Sequence, residues 1–284
     1  MKNMNYVKTG LLLLALTLIL VWFGSFFGGP RGAMIALVFA LILNGVSYWY
    51  SDKIVLAIYK AKEVPERQFY HLYNLVKELT HSARLPMPKI YMVENKSPNA
   101  FATGRNPEKA VVCVTKGLLE LLDENELRGV LAHELAHVKN RDTLIMTVTA
   151  SMAGAIMMLA YMARWAAILG GYSRQKRGSG NIVALLAVSI IAPLAAIIVQ
   201  LAISRSREYA ADRQGAYFAK DPRGLASALK RLKEAARIRP MKEASPETAH
   251  LFIVNPFRSS FITNLFSTHP PIAERVRRLS EMKV

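Results

Sequence analysis

The chain has 284 residues, of which 52% are hydrophobic, and a formal net charge of +17. This apolar composition excludes a simple soluble protein and indicates membrane-spanning segments. The single cysteine, Cys113, excludes an intramolecular disulfide and a cysteine-based metal site. The basic residues are scattered and no nucleic-acid-binding motif accompanies them, so we expect the lipid bilayer, and no nucleic acid, to be the partner of this charge.

Two apolar runs near the amino terminus predict a pair of membrane spans. Residues 11–27 and 33–50 are each near the length that crosses a hydrocarbon core, and the sequence Gly-Gly-Pro-Arg-Gly at residues 28–32 predicts a turn between them. A cleaved signal peptide is the alternative for the first run. No small-x-small cleavage site follows that run, and the second run begins only a few residues later. We therefore assign residues 1–50 to a transmembrane hairpin.

Residues 51–142 are mixed and charged, which indicates a water-facing segment. Apolar residues at helical spacing predict an amphipathic helix over residues 63–85. The runs at 89–93 and 110–115 are typical of β-strands, and the sequence Ser-Pro-Asn-Ala-Phe-Ala-Thr-Gly at 97–104 predicts a turn followed by a short extended piece. A small β-sheet is therefore expected before the next helix.

That next helix carries the sequence His133-Glu134-Leu135-Ala136-His137. Two histidines four residues apart share one helix face and can hold one metal ion, and the glutamate beside them can take a proton from a zinc-activated water. A solvated helix face is the alternative. The neighbouring residues are largely apolar, however, and buried histidines would need partners, which favours the metal site. We expect the helix to begin at Asp123, with Glu126 completing a capping box, and to run directly into the membrane.

Two further spans are predicted at residues 143–161 and 182–203, joined by a loop at 170–181 that is rich in Gly, Ser and charge. The near ends of these two spans must lie at the same height, because the spans form a hairpin. His137 precedes the hairpin by six residues and Glu208 follows it by five, so both side chains are expected roughly 8–9 Å from the membrane edge.

This spacing makes Glu208 a candidate third metal ligand. Asp212 lies one helical turn later, where its carboxylate could accept the free N–H of a ligating histidine. Pairing of the two acids with nearby arginines is the alternative; these arginines are Arg205, Arg207 and Arg213.

The distribution of Lys and Arg around the four spans predicts their orientation. Ten basic residues lie on the side of the metal motif and five on the opposite side. This bias favours a cytoplasmic catalytic domain in the cell (plasma or inner) membrane, although three of the opposite five cluster at residues 174–177. Residues 239–247 predict a loop, which we interpret as a mobile cover of the cleft.

Together these elements predict an α+β, mainly α-helical fold, in an integral membrane protein with four transmembrane helices. We expect a zincin-like catalytic domain with a small β-sheet, built from residues 51–142 and 204–284 and interrupted by a second transmembrane hairpin at 143–203.

Several motifs in order resemble the HtpX-type membrane zinc metalloproteases, which are distantly related to the CaaX prenyl endopeptidases. The resemblance covers nearly the whole chain. It rests on the paired amino-terminal spans, residues 97–104, the His133–His137 motif followed by Asn140 and Asp142, the sequence Ser-Arg-Ser-Arg-Glu-Tyr-Ala-Ala-Asp at 204–212, and Phe-Ser-Thr-His-Pro-Pro at 266–271. It implies a gluzincin in which His133, His137 and Glu208 hold one zinc ion and Glu134 is the general base.

The resemblance also implies roles for other residues of these motifs. Asn99, Ala100 and Phe101 are similar to an edge strand that pairs with the substrate backbone. His269 is similar to a late histidine of the family, which could stabilise the oxyanion; alternatively it caps the helix predicted at residues 271–282. No third histidine follows His137 at the metzincin distance, which disfavours that class of zinc protease.

The predicted function is hydrolysis of peptide bonds in misfolded or damaged membrane proteins, or in unfolded polypeptides, near the cytoplasmic membrane surface. The resemblance implies a purpose in protein quality control and the stress response. Two alternatives stay open: a processing protease of narrow specificity, and a non-enzymatic membrane scaffold with a structural zinc ion. The intact Glu134 argues against the scaffold.

Overall fold

The computed structural model describes residues 2–153, 205–238, 251–253 and 270–284. Several sequence predictions lie outside the described residues. These are the third predicted span beyond residue 153, the loop at 170–181, the fourth span at 182–203, the loop at 239–247, and His269.

The first helical element, α1 (Lys2–Ile58), is broken at Gly29, whose φ of 59° and ψ of −149° suit only glycine. The two pieces fold back on each other, because Asn44 in the second piece donates a hydrogen bond of 2.8 Å to Thr17 Oγ1 in the first. The predicted turn is therefore confirmed. The second piece continues beyond the predicted end at Tyr50, since Val55 and its neighbours are buried against the rest of the protein.

Within the described part of the chain, the piece Gly28–Ile58 is long and apolar enough to cross a membrane, and Thr9–Trp22 is a shorter apolar piece. Most of the apolar side chains of the longer piece are exposed, Met34, Ile35 and Ile42 among them.

A four-stranded sheet follows, with the order β1-β2-β4-β3. Its strands are β1 (Lys62–Glu63), β2 (Lys89–Val93), β3 (Ala100–Thr103) and β4 (Val111–Thr115). Strand β4 pairs in parallel with β2, where Lys89 lies opposite Val111, and antiparallel with β3, where Ala100 lies opposite Val114. The three predicted extended segments are confirmed, and β3 is an edge strand of the sheet.

Helix α2 (Tyr70–Ala83) buries its apolar face, including Leu72, Val76 and Leu79, in the main core. It is shorter than the predicted 63–85, because Lys62–Glu63 pairs with β2 and a turn occupies the residues after Pro65. The short helix α3 (Lys116–Leu121) follows β4 and is capped by Thr115, which accepts a hydrogen bond from the Leu118 N–H.

Helix α4 (Glu124–Asn140) lies at the centre of the described catalytic part. Its predicted capping box is confirmed: Asp123 accepts from the Glu126 N–H at 2.9 Å, and Glu126 accepts from the Asp123 N–H at 3.1 Å. The expectation that the helix runs straight into the membrane is wrong. Arg141 adopts a left-handed conformation (φ 60°) that ends α4, and a separate helix, α5, occupies the described residues 142–153.

Two later helices, α6 (Arg205–Ala219) and α7 (Pro222–Ile238), pack against α4, and the final helix α8 (Ile272–Ser280) packs against α6 and α7. Helix α6 passes close to α4 at Gly215, where an added methyl group would lie 2.9 Å from the backbone nitrogen of His133. Only glycine permits this crossing, which brings the start of α6 beside the histidines of α4. The described fold is thus α+β and mainly helical, as predicted.

Candidate active site

The structure brings three predicted ligands together. His133 and His137 lie on one face of α4, and Glu208 lies in the first turn of α6. Their ligand atoms all lie within 4.8 Å of one another, and the three side chains are buried. The two histidine Nε2 atoms are 3.2 Å apart, and Glu208 Oε1 lies 3.4 Å from His137 Nε2. Two imidazole nitrogens and one carboxylate oxygen converging on a point form a donor set that fits zinc.

A carboxylate lies beside the second ring nitrogen, Nδ1, of each histidine. Asp212 Oδ1 lies 3.0 Å from His133 Nδ1, and Asp142 Oδ2 lies 3.2 Å from His137 Nδ1. A carboxylate in this position holds the hydrogen on Nδ1, which leaves Nε2 free to bind a metal and fixes the ring orientation. The sequence predicted that Asp212 accepts the free N–H of a ligating histidine, and in the structure its carboxylate lies beside Nδ1 of His133.

Asp142 had no role assigned from the sequence. It follows the left-handed turn at Arg141, and this turn directs the first residue of α5 back towards His137. The sequence does show an acidic residue just after the metal helix. A single continuous helix, as predicted, would have pointed Asp142 away from His137, so its role could not be inferred.

Arg275 is a second residue that sequence reasoning missed. Its side chain is fully buried, and its guanidinium donates two hydrogen bonds to Asp212, of 2.9 and 2.7 Å. It also lies 3.5 Å from Glu208 Oε2. Arg275 belongs to a short, strongly basic helix far along the chain from His133, so no local pattern marks it as a residue of the site.

The charges of this buried cluster depend on one another. Burial alone would lower the pKa of Arg275, but Asp212 and Glu208 raise it above the ordinary value, so the guanidinium stays charged. Burial alone would raise the pKa of Asp212, but Arg275 and His133 lower it below the ordinary value. Asp212 and Arg275 are therefore both ionised, and each charge stabilises the other in the buried site.

The two histidines experience opposite influences. Burial lowers the pKa of His133, which favours the neutral ring that a metal requires. Burial also opposes protonation of His137, but its contacts with Asp142 and Glu208 outweigh burial and raise its pKa.

Glu134 lies beside the cluster and is 3% exposed. Burial raises its pKa to about 7, while nearby His137 and a hydrogen bond from the Ala102 backbone act in the opposite direction. A carboxylate whose pKa is near neutral exchanges protons readily, as a general base must. Because Ala102 belongs to β3, the edge strand lies directly beside this carboxylate.

The structure also places the predicted substrate strand at this site. Phe101 lies in β3 and is buried, and Asn99, just before the strand, accepts hydrogen bonds from the N–H groups of Ala100 and Ile253. Helix α4 packs along β3. His269, which was predicted to stabilise the oxyanion or to cap the following helix, lies outside the described residues.

Comparison with known proteins gives consistent results. The model of "Peptidase family M48" matches residues 66–283. A "Protease HtpX homolog" from Syntrophobacter fumaroxidans is 53% identical over 277 residues, which is 97% of this chain and 98% of the relative. A protein of the same description from Desulforapulum autotrophicum is 55% identical, over 97% of this chain and 89% of the relative.

A crystal structure of S. mikatae Ste24p is also similar, with a TM-score of 0.49 and 19% sequence identity. The match covers 94% of this chain and spans 62% of the Ste24p chain. The family match and the two high-identity relatives decide the classification: the chain belongs to peptidase family M48 and is a metalloprotease.

Proposed function

We propose that the protein is a membrane-embedded endopeptidase in which His133, His137 and Glu208 hold one zinc ion. The observation that carries this proposal is the convergence of three buried ligand atoms, with a carboxylate behind each histidine. When bound, zinc supplies a Lewis acid that polarises the peptide carbonyl and lowers the pKa of water.

The protein's own residues supply the proton transfers and the orientation. Glu134 accepts the proton of the attacking water and then delivers it to the departing amine, a role that suits its raised pKa. The Ala102 N–H orients the Glu134 carboxylate. Asp142 and Asp212 keep the histidine Nε2 atoms directed at the cluster, and Arg275 balances the negative charge of Asp212 and Glu208.

The membrane part of the proposal rests on α1 and α5. The second piece of α1 exposes apolar side chains over a span-length helix, and Trp49 near its end lies under the guanidinium of Arg105, 4.4 Å from the ring centroid. Aromatic and cationic groups of this kind are typical of the interface between lipid and water. Helix α5 packs Leu144, Val148 and Met152 against the first piece of α1, as expected for the start of a third span.

We infer four spans in all, with the catalytic parts on the cytoplasmic side of the cell membrane. A site just beyond the ends of the spans gives access to segments of other membrane proteins that lie near the lipid surface. The substrates we propose are therefore misfolded or damaged membrane proteins and unfolded polypeptides, cleaved for quality control under stress. Membership of a peptidase family argues against the non-enzymatic scaffold.

The test is cleavage of casein and of an unfolded membrane protein by the full chain purified in detergent. Activity should disappear with a chelator, return with zinc, and be lost in Glu134→Gln, which keeps the metal ligands. Glu124→Gln is the matched control, because Glu124 lies on the same helix and is exposed. Equal activity of native chain and Glu134→Gln would overturn the proposal, and cleavage of one defined partner but no general substrate would favour the narrow processing protease.

A further inference from the structure

Among the described residues, residues 251–253 lie directly beside the metal-ligand cluster and cover it. With Met146, His133, Glu134, His137 and Glu208 they line a cavity of about 10 Å³. A cavity of this size holds about one water molecule. Residues 251–253 therefore occupy the space beside the cluster that a substrate polypeptide would need.

Residues 251–253 are held through their main chain. The N–H of Ile253 donates to Asn99 Oδ1 at 3.2 Å, and the carbonyl of Ile253 accepts from Arg275 Nη1 at 3.1 Å. Both partners are buried polar side chains, 2% and 0% exposed. Contacts of this kind hold a peptide backbone whatever its side chains, so the same two groups can hold a substrate.

The side chain of Phe252 fills an apolar slot beside the cluster. Its ring meets the rings of Tyr59 and Phe101 edge-on, with centroid distances of 5.1 and 5.7 Å. Tyr59 and Phe101 also contact each other, at 5.7 Å. The surrounding apolar group includes Met146 and Ile145, and Phe252 is 1% exposed. A slot of this shape and polarity accepts a large apolar ring and penalises a charged side chain.

We propose that residues 251–253 occupy the substrate cleft in the manner of a substrate. The cleft binds a peptide main chain through Asn99 and Arg275, and the slot formed by Tyr59, Phe101 and Met146 selects a bulky apolar residue beside the scissile bond. The chain's own Phe252 competes with that residue. This inference rests on the proposed function, because it assigns the specificity of the same site.

The first test uses the zinc-loaded full chain and internally quenched peptides that differ at one position, which holds Phe, Leu, Ala or Asp. A slot that buries an aromatic ring should give Phe at least about a tenfold advantage over Ala in kcat/KM, and Asp should be the poorest. Phe101→Ala, which removes one wall of the slot, should reduce the ratio of Phe to Ala. Equal cleavage of the four peptides by the native chain would overturn the inference.

The second test addresses competition by the chain itself. In Phe252→Ala the segment loses its anchor, so a larger fraction of the protein is open and KM should fall about fivefold or more. The control is Leu232→Ala, which removes a buried side chain from the main core, remote from the slot. A general loss of stability would affect both variants, but only Phe252→Ala should lower KM. An unchanged or higher KM in the folded Phe252→Ala variant would count against the inference.

The two proposals fail in different ways. If neither the native chain nor Phe252→Ala cleaves any peptide with zinc present, the proposed function fails. If cleavage is chelator-sensitive and requires Glu134, yet shows no apolar preference and no change on removing Phe252, only the cleft assignment fails. The peptide series needs no variant, so it decides the question even where Phe252→Ala does not fold.

Discussion

Asp142 and Asp212 each contact the Nδ1 atom of one histidine, which leaves both Nε2 atoms pointing towards Glu208. The two acids come from different elements: Asp142 begins α5, and Asp212 lies in α6. At the scale of single residues, the site therefore consists of three ligands oriented by surrounding charged side chains. Among the described residues, Arg275 is the only buried arginine or lysine that contacts both Asp212 and Glu208.

The carboxylates behind the histidines should control metal affinity. In Asp142→Asn the amide no longer attracts the Nδ1 hydrogen of His137, so we expect zinc affinity to fall about 10- to 100-fold. Competition with a chromogenic chelator measures this change. Glu94→Gln is the control, because Glu94 is exposed and its contact with Lys116 is long, at 3.9 Å. Unchanged zinc affinity in Asp142→Asn would show that this contact does not orient His137.

Removal of the Arg275 charge should lower the stability of the protein. Arg275→Met keeps the side-chain volume but removes the buried guanidinium that contacts Asp212 and Glu208, so we expect a loss of about 3–5 kcal/mol in the free energy of unfolding of the metal-free protein. Denaturant unfolding followed by tryptophan fluorescence measures this loss.

Zinc should restore part of the stability of Arg275→Met, since the ion replaces positive charge near both acids. The control is Arg277→Met on the same helix, because Arg277 is exposed and should show no measurable loss. Equal stability of the two variants would contradict the assigned charge balance.

At the scale of elements, the position of the site depends on how closely α4 and α6 cross. The sequence predicted the metal helix, its capping box, three extended segments and the final helix, because each depends on contacts between residues a few positions apart. It failed at Arg141, where one residue in the left-handed conformation separates α4 from α5. No local pattern marks that break, because arginine has no special preference for this conformation.

Gly215 provides a test of the crossing. In Gly215→Ala the new methyl group would lie 2.9 Å from the backbone nitrogen of His133, so α6 must move away and carry Glu208 from the histidines. We expect a loss of about 1–3 kcal/mol in stability together with weaker zinc binding. Thermal unfolding and zinc titration measure the two effects. Gly45→Ala is the control, because nothing lies within 4 Å of the added methyl group there; similar behaviour of the two variants would argue against a tight crossing.

At the scale of the whole molecule, the catalytic elements pack beside an apolar hairpin whose outer surface is exposed. Gly29 turns the chain at the far end of that hairpin, and Tyr59 at its near end contacts Phe101 of the edge strand. The hairpin is therefore joined directly to the wall of the cleft, and the orientation of the hairpin in a membrane determines the side on which proteolysis occurs.

Labelling of single cysteines tests that orientation. Cys113 is buried, and burial raises the pKa of its thiol, so the native chain should not react with a membrane-impermeant maleimide. Glu66→Cys, in the catalytic part, should react only after the cells are permeabilised, whereas Arg31→Cys, beside the hairpin turn, should react in intact cells. The opposite pattern would reverse the proposed topology.

The sequence by itself determined the apolar hairpin, the small sheet and the helix that presents His133, Glu134 and His137, because these features follow from the spacing of side chains along a short stretch of chain. Only the tertiary structure decided that Asp142 and Arg275 join the cluster and that residues 251–253 cover it. The physical reason is that a buried charge is stable only beside an opposite charge, and such partners can come from any part of the chain that packing brings near.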